Sequence, residues 1–214
     1  PLPVASTEGA WTPNAFLQVL PDNPIRFYTA RSEMGQGVTT GLATLVGEEL
    51  DVNPLDMDVR LAGAHEDYVN PLFGMQGTGG STSIRAHYTQ LRQVGANTRA
   101  LILEAAAKDL GVAASSLTTD NGYVVAGETR HPYADFINTA QALTIDADAP
   151  LKPTSQFQYI GQETRRVDAI AKATGTAQFG IDVDVPGMHY AVVVRPPVAR
   201  AKALSVNATS AKGM

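Results

Sequence analysis

Two glycine-rich segments carry the residue types most suited to binding a small molecule, and the first of them covers residues 33–37, Glu-Met-Gly-Gln-Gly. The glycines on either side of Gln36 permit backbone dihedrals that other residues avoid, or a close approach to another group. The Gln36 amide offers two donors and an acceptor, which suits the edge of a heterocycle better than a cation. Between a predicted strand and a predicted helix, backbone N–H groups and the helix dipole commonly face a ligand. The alternative is a glycine-rich turn with a solvated Gln36.

The second segment covers residues 74–83, Gly-Met-Gln-Gly-Thr-Gly-Gly-Ser-Thr-Ser, and leads directly into a long predicted helix. One helix N-terminus needs only one capping hydroxyl, whereas Ser81, Thr82 and Ser83 are consecutive and follow two bare glycines. Such a surplus of donors suits a phosphate or another anion. The segment has neither the Gly-Lys-Ser/Thr of a Walker loop nor the spacing of a dinucleotide fingerprint. The alternative is a capped helix after a flexible loop.

The histidines offer weaker candidates. His65-Glu66-Asp67 hints at a metal, but adjacent side chains rarely converge on one ion, so a polar loop is the favoured interpretation. His87 falls one turn into the long predicted helix, where packing or surface exposure is expected. His131 and His189 have no partner pattern. No catalytic triad order, paired-carboxylate spacing or nucleophile elbow stands out, so the sequence assigns no catalytic and no metal-ligating residue.

Composition narrows the classes of protein. The chain has 214 residues, 16 Lys+Arg and 21 Asp+Glu, and a net charge of −5, which argues against a general nucleic-acid binder. Cysteine is absent, which excludes disulfides, thiolate zinc sites and iron–sulfur ligation within this chain. Charged residues make up 17%, below the usual share of about 25%, as expected when other surfaces cover part of the chain. No apolar run approaches the ~18–20 residues of a membrane span.

Hydrophobic periodicity and turn residues predict the elements that position the two segments. The expected order is strands at 15–20 and 25–30 around a turn, a helix at 39–50, a strand at 57–61, a loop at 62–80, a helix at 83–110 stopped by Gly111, a hairpin at 117–126 turning at Asn121-Gly122, and a short helix at 131–143.

The last third of the chain has a different character. Residues 146–164 are polar and contain proline, which is typical of a linker. A second unit is predicted from Arg165. It is entered through the mixed-charge stretch 165–168 with Lys172, which by itself indicates only a structural edge or a linker segment. β-prone runs follow at 177–183, 188–195 and 203–206.

Three motifs, taken in order, resemble the molybdenum-binding large subunit of the xanthine dehydrogenase/aldehyde oxidase family. The first is Glu-Met-Gly-Gln-Gly-Val at 33–38, followed by Glu-Glu-Leu-Asp at 48–51. The second is Pro-Leu-Phe-Gly-Met-Gln-Gly-Thr-Gly-Gly-Ser-Thr-Ser-Ile-Arg at 71–85. The third is a tail that contains Arg-Val-Asp at 166–168, Lys-Ala-Thr-Gly-Thr-Ala at 172–177, Pro-Gly-Met-His-Tyr-Ala at 186–191 and Arg-Pro-Pro at 195–197. The resemblance spans essentially the whole chain. A cofactor segment ahead of the tail is similar to the branch that contains the isoquinoline 1-oxidoreductase beta subunit, also described as a membrane-bound aldehyde dehydrogenase large subunit.

The resemblance implies an α+β fold. Residues 1–145 would form part of a molybdopterin-binding domain, with a mixed sheet and packed helices. Residues 146–164 would be a linker, and 165–214 an incomplete α/β hammerhead domain. The chain would then be one partial domain and the beginning of another.

The resemblance also implies which residues bind the cofactor. Met34, Gly35 and Gln36 match the loop that reaches the pterin and the molybdenum environment. Gly80, Ser81, Thr82 and Ser83 match the loop that binds the pterin and its phosphate. No segment matches the family's glutamate general base, and Glu33 belongs to a different motif. The expected cofactor is molybdopterin with molybdenum, in the cytosine dinucleotide form, with iron–sulfur clusters on a partner chain.

The implied reaction is hydroxylation of an aldehyde or N-heterocycle carbon with oxygen from water. Electrons would pass to an iron–sulfur small subunit, with a cytochrome c as a further candidate acceptor. The isolated chain, lacking the base and the rest of the large subunit, is expected to be inactive. The branch implies export to the periplasm or a periplasm-facing membrane surface, although residues 1–13 do not have the pattern of a signal peptide. The competing hypothesis is a non-enzymatic binding or assembly module whose glycine-rich loops contact a partner chain.

Overall fold

Four short strands at the beginning of the chain form one mixed sheet. In this computed structural model, which describes Val4 and residues 6–213, they are β1 (Trp11–Asn14), β2 (Leu17–Val19), β3 (Ile25–Thr29) and β4 (Asp58–Leu61), in the order β1-β2-β3-β4. β1, β2 and β3 pair antiparallel, and β4 joins β3 in parallel, with Phe27 opposite Val59. The predicted strands at 15–20, 25–30 and 57–61 are thus confirmed within a few residues.

The parallel pair explains why the two glycine-rich segments can meet. Parallel neighbours require a crossover connection, and here it is helix α1 (Val38–Leu50), as the apolar stripe at 39–50 predicts. The chain leaves the carboxyl ends of β3 and β4 at the same sheet edge, the edge where ligands bind in open α/β sheets. Residues 30–37 follow β3 there, and residues 62–82 follow β4.

Helix α2 (Ser83–Leu110) packs against α1 and has the predicted bounds, ending at Gly111 with φ 67°. The two helices come close together at Gly95 of α2. A Cβ atom there would lie 2.6 Å from the Val46 carbonyl oxygen and 3.3 Å from the Leu50 nitrogen of α1. Because backbone atoms of a buried helix cannot rotate away, this crossing requires glycine.

We expect Gly95→Ala to destabilise the chain by about 2 kcal/mol. Alanine favours a helix interior by about 1 kcal/mol over glycine, but overpacking against a fixed backbone costs more than this gain. Urea unfolding followed by the fluorescence of Trp11, the single tryptophan and 6% exposed, measures the difference. Gly63→Ala is the control, because no atom lies within 4 Å of the place that its methyl group would take, and a change there of more than about 0.5 kcal/mol is not expected. Equal stability of the two variants would contradict the close crossing.

A second sheet packs beside α2. It contains β5 (Leu117–Asp120), β6 (Tyr123–Ala126) and β7 (Thr129–Pro132), all antiparallel. The hairpin at Asn121-Gly122 is confirmed, with φ values of 39° and 80° at its turn. The predicted helix at 131–143 is wrong in its first part, because residues 129–132 pair with β6 and a 3₁₀ turn follows before the short α3 (Ile137–Ala140). Pairing with β6 prevails there over the local helix signal from Pro132.

The segment predicted as a linker lies against α1 and α2. The buried Glu48 and Glu49 carboxylates of α1 accept backbone N–H groups from residues 152 and 158–160. Gln93 donates to the Ala149 carbonyl at 2.7 Å. We call residues 148–160 the strap. It is ordered by buried acceptors, in contrast to the flexibility that linker composition suggests.

Contacts divide the chain into two units, Pro1–Thr176 and Ala177–Met214. The first contains both sheets, α1–α3 and a short α4 (Ala169–Ala173). The second has one 3₁₀ turn and α5 (Thr209–Lys212), but none of its described residues is in a strand. The strands predicted at 177–183, 188–195 and 203–206 are therefore wrong for this structure. A strand needs a paired neighbour and a covered face, and here Val192 and Val194 are 90% and 91% exposed.

The observed mixed sheet with packed helices confirms the predicted α+β class. The hammerhead assignment and the domain boundaries at 145 and 165 stay predictions. None of the helices among the described residues is long and apolar enough to cross a membrane.

Candidate functional site

A cavity of about 370 Å³ lies between the two glycine-rich segments. Four of the seven predicted cofactor-binding residues line it, namely Met34, Gln36, Ser81 and Ser83. The rest of its wall comes from the start of α1, from the loop before α2 and from the first turn of α2: Gly37, Val38, Gly41, Thr78, Gly79 and Ile84. The fold therefore brings the two segments together, as their positions after β3 and β4 require.

The first segment is organised by Glu33. Its Oε1 accepts the N–H groups of Gly35 and Gly37 at 2.8 and 2.9 Å, and its Oε2 accepts that of Thr39 at 3.1 Å. Burial opposes the charged carboxylate, but these three donors prevail and hold the pKa of Glu33 below its usual value. The N-terminus of α1 thus already has an anion of its own chain, although its first turn lines the cavity.

Gln36 lies on the cavity wall with its amide turned back on its own loop. Its Oε1 accepts the Met34 N–H at 2.6 Å, and its Nε2 donates to the Ser32 carbonyl at 3.0 Å. Met34 is 71% exposed, so its thioether presents an uncovered apolar surface. A heterocycle entering the cavity would compete with the loop for the Gln36 amide and cover the Met34 side chain.

The second segment uses one of its three hydroxyls for structure. Thr82 is buried, donates to the Gly79 carbonyl at 2.8 Å and accepts from the Asn70 amide at 2.7 Å. Ser81 and Ser83 make no side-chain hydrogen bond within the part of the chain that the structure describes, and Ser81 has φ 52°, a left-handed conformation uncommon for serine. The surplus of hydroxyls inferred from the sequence is therefore two.

The N-terminus of α2 is open. Its first intrahelical bond runs from the Ala86 N–H to the Thr82 carbonyl at 2.7 Å, and no side chain caps it. The N–H groups of Ser83, Ile84 and Arg85 meet no acceptor among the described residues. Unpaired N–H groups at the positive end of a 28-residue helix suit an anionic group such as phosphate.

Behind the two loops lies a buried cation that sequence reasoning missed. Arg31 is fully buried and donates to the carbonyls of Ala30 and Tyr68 at 2.6 and 2.9 Å. Its third contact is the His87 Nε2 atom at 2.6 Å. Only the position of Arg31 at the end of an apolar strand distinguishes it in the sequence. No spacing pattern would have found it.

His87 continues this contact to the start of α2. Since arginine can only donate, His87 Nε2 accepts, and its Nδ1–H donates to the Ser83 carbonyl at 3.0 Å. Burial and the Arg31 charge both lower the pKa of His87. Packing or surface exposure was expected for this histidine. It is buried, and the structure adds a polar role, because its contacts link the cavity-lining Ser83 to Arg31 just after β3.

The other candidates from the sequence lie apart from the cavity or at its border. His65 Nδ1 accepts the Asp67 N–H at 3.3 Å, within a loop that Gln76 ties to Gly63. No group of three metal-ligating His, Asp or Glu side chains is found over the described residues. The stretch 165–168, interpreted as a structural edge, contacts the first segment through Arg166, which donates to the Gly35 carbonyl at 2.7 Å.

Comparison of the sequence with known proteins shows which family this chain is similar to. A family model described as the molybdopterin cofactor-binding domain matches residues 3–194. The chain is 33% identical to the membrane-bound aldehyde dehydrogenase [pyrroloquinoline-quinone] of Gluconacetobacter polyoxogenes, over 96% of this chain and 27% of that protein. It is 31% identical to the beta subunit of the isoquinoline 1-oxidoreductase of Brevundimonas diminuta, over 89% and 29%. It is also 31% identical to a subunit of the nicotinate dehydrogenase of Pseudomonas putida, over 86% and 15%.

The chain therefore spans less than a third of the length of these relatives, two of which are named as enzyme subunits. The family model covers most of the chain, including both loops and the cavity between them. The resemblance inferred from the three motifs is confirmed, and this chain belongs to the molybdopterin cofactor-binding domain family, among the molybdenum-binding subunits of the xanthine dehydrogenase type.

Proposed function

We propose that this chain forms part of the molybdopterin site of a molybdenum-dependent oxidoreductase, with the cofactor held between residues 33–38 and 78–84. The cavity between the two loops carries the proposal, since the open N-terminus of α2 and an apolar wall face the same space. The family membership supplies the cofactor class.

The donor set fits such a cofactor. A phosphate is matched by the free N–H groups of the first α2 turn and the hydroxyls of Ser81 and Ser83. A flat heterocycle is matched by the Gln36 amide, with Met34 and Ile84 as apolar contacts. Thr82 and Gly80 would shape the loop from behind, and Gly35 would set the path of the first loop. We also propose the cytosine dinucleotide form, on the resemblance alone.

When bound, the cofactor would supply a two-electron oxidation in which an aldehyde or N-heterocycle carbon gains oxygen from water. The residues of this chain bind and orient the cofactor, and none of them matches the family's general base. We propose that iron–sulfur clusters on a small subunit receive the electrons, with a cytochrome c as a further acceptor. The remainder of the large subunit would complete the substrate pocket, and the site would face the periplasm.

The proposal is tested on the natural protein that contains this chain, purified and analysed for molybdenum and for released pterin. We expect about one molybdenum per large subunit in the wild type. Ser83→Ala and Gln36→Ala should each retain several-fold less after extensive dialysis, because a hydrogen bond to a charged group contributes about 1.5–3 kcal/mol and a neutral one about 1 kcal/mol. Gln141→Ala, exposed at the end of α3 and outside the cavity, is the control.

Three results would overturn this proposal. They are a wild-type protein without molybdenum, a bound quinone in its place, or unchanged molybdenum in both cavity variants. The quinone is a relevant outcome, because one relative carries pyrroloquinoline quinone in its name. A protein that binds a partner chain but no cofactor would favour the assembly-module hypothesis.

A further inference from the structure

Arg166 makes the contact that joins a distant part of the chain to the first cofactor loop. Its guanidinium donates to the Gly35 carbonyl at 2.7 Å and lies 3.1 Å from Glu33 Oε1. The contact with Gly35 bridges 131 positions in sequence. Both partners belong to the loop that we place against the pterin, yet Arg166 itself does not line the cavity.

Arg166 is held in place by its own neighbours. Asp168 accepts from its Nε and NH2 at 2.8 and 2.9 Å, in a bidentate arrangement. Lys172 reaches the same carboxylate at 2.6 Å, and the Val167 N–H donates to Thr40 Oγ1 at 3.1 Å, which docks the stretch on α1. A single exposed ion pair contributes little, but a bidentate pair within a network is the exception.

The protonation state of this network is robust. The hydrogen bonds from Arg166, followed by those from Lys172, hold the pKa of Asp168 well below its usual range despite partial burial. The carboxylate therefore stays charged, and the guanidinium stays oriented, over the whole physiological range of pH.

The loop depends on this contact because little else restrains it. Gly35 has φ 103°, and Met34 and Gln36 are exposed. The remaining hydrogen bonds of residues 33–36 are made within residues 32–39. Over the described part of the chain, Arg166 is the one side chain from outside residues 32–39 that bonds to residues 33–36. Thr78 Oγ1 accepts the Ser32 N–H at 2.9 Å, which holds only the base of the loop. It fixes both the Gly35 carbonyl and the Glu33 carboxylate, and so the direction of the peptide planes on either side of Gln36.

We propose that Arg166 is a positioning residue, which holds the loop of Met34, Gly35 and Gln36 in the conformation that binds the cofactor. The proposal rests on the proposed function of that loop. It gives the stretch 166–172 a role in cofactor retention, although its side chains do not touch the cavity. Pre-organisation of a loop lowers the ordering cost of binding, so removing the contact should weaken retention without removing a ligand contact.

The test compares Arg166→Ala, Arg166→Lys and Arg165→Ala in the natural protein. Arg165 is an exposed neighbour without a polar contact among the described residues, so its replacement removes the same charge from the adjacent position without removing a contact to the loop. Hydrogen exchange of the amides in peptides covering residues 32–41 measures how firmly the loop is restrained, and the molybdenum retained after dialysis measures how well the cofactor is held. We expect exchange about tenfold faster in Arg166→Ala, as the loss of one charge-assisted hydrogen bond predicts, together with several-fold less molybdenum. Arg166→Lys should restore part of both, and Arg165→Ala should match the wild type.

The outcomes separate this proposal from the function it rests on. A wild type without molybdenum refutes the cofactor assignment, while the exchange rates still show whether Arg166 restrains the loop. Exchange equal in Arg166→Ala and Arg165→Ala overturns the restraint. Faster exchange with full molybdenum retention overturns the positioning role, and so does a thermal midpoint lowered by more than about 5 °C, which would indicate general unfolding.

Discussion

Replacing Glu48 by alanine is expected to destabilise the chain by about 4 kcal/mol, the largest effect of any single substitution considered for this protein. Glu48 belongs to the buried face of α1 and is 0% exposed. Its carboxylate accepts the N–H groups of three consecutive strap residues, 158–160, at 2.8–2.9 Å for their shortest contacts. Lys152 Nζ lies 3.8 Å from the same carboxylate. Alanine would remove the buried acceptor of these three partly buried N–H groups and leave the Lys152 ammonium with less compensating charge.

Glu48→Gln distinguishes the effect of the negative charge from the effect of the hydrogen-bond acceptors. Glutamine keeps one acceptor oxygen, but its NH₂ group would face a backbone donor. We therefore expect the free energy of unfolding to fall by less than in Glu48→Ala, but to fall measurably. The control is Glu104→Ala, whose partner Lys108 lies one turn along α2 with both side chains about half exposed; such pairs contribute about 0.3–0.5 kcal/mol. Urea unfolding monitored at Trp11 measures all three. A loss under about 1 kcal/mol for Glu48→Ala would show that the strap is not held by this carboxylate.

The long elements of this fold could be predicted because their own residues contain the pattern. α1 and α2 repeat apolar side chains at the helical period, and Gly111 stops α2 in a left-handed conformation. The hairpin at Asn121-Gly122 likewise carries its turn in two residues. In each case the local preference and the tertiary contacts agree, which is the condition for a reliable prediction.

The wrong predictions concern segments whose structure depends on contacts with distant parts of the chain. Residues 188–194 have β-prone side chains, but none of the described residues 177–213 forms a strand that pairs with them, and β propensity alone does not form a sheet. Residues 129–132 pair with β6 although Pro132 resembles a helix start. The strap has the composition of a linker, and only the buried carboxylates of α1, about 100 positions earlier, reveal why it is ordered.

The candidate site shows the same division. Gln36, Ser81 and Ser83 could be selected because chemistry and spacing appear in consecutive residues. Arg31, the Glu33 cap and Arg166 could not be assigned roles, because each depends on atoms from other elements. The motifs therefore predict which side chains line the cavity, whereas the residues that hold those side chains in place become visible only in three dimensions.

Replacing Arg31 by methionine is expected to cost about 3 kcal/mol, the second-largest effect. The loss leaves two carbonyl oxygens and His87 Nε2 without a donor inside the protein, at about 1–3 kcal/mol for each orphaned group. Relief from burying a guanidinium with no carboxylate partner among the described residues offsets part of this loss. Arg60→Met, with a side chain about half exposed at β4, should cost less than 1 kcal/mol. The free energy of unfolding at pH 8 measures both, and equal losses would contradict a structural role for the buried contact.

The acid range then tests whether His87 stays neutral in the folded state. Burial and the Arg31 charge lower the pKa of folded His87 below its ordinary value of about 6.5. Just below that pH, His87 therefore binds a proton in the unfolded chain but stays neutral in the folded chain. The contribution of His87 to the free energy of unfolding is therefore complete above about pH 7 and falls as the pH drops, by up to about 1.4 kcal/mol per pH unit.

His87→Gln tests this pH dependence, because glutamine has a donor and an acceptor but does not titrate. Its stability deficit relative to the wild type should shrink between pH 8 and pH 5, since other groups contribute equally to both proteins. In Arg31→Met the folded pKa of His87 should rise toward its ordinary value, and the acid loss due to His87 should be smaller. A deficit that stays constant with pH would mean that His87 titrates alike in both states, and the neutral bridge from Arg31 to Ser83 would then be wrong.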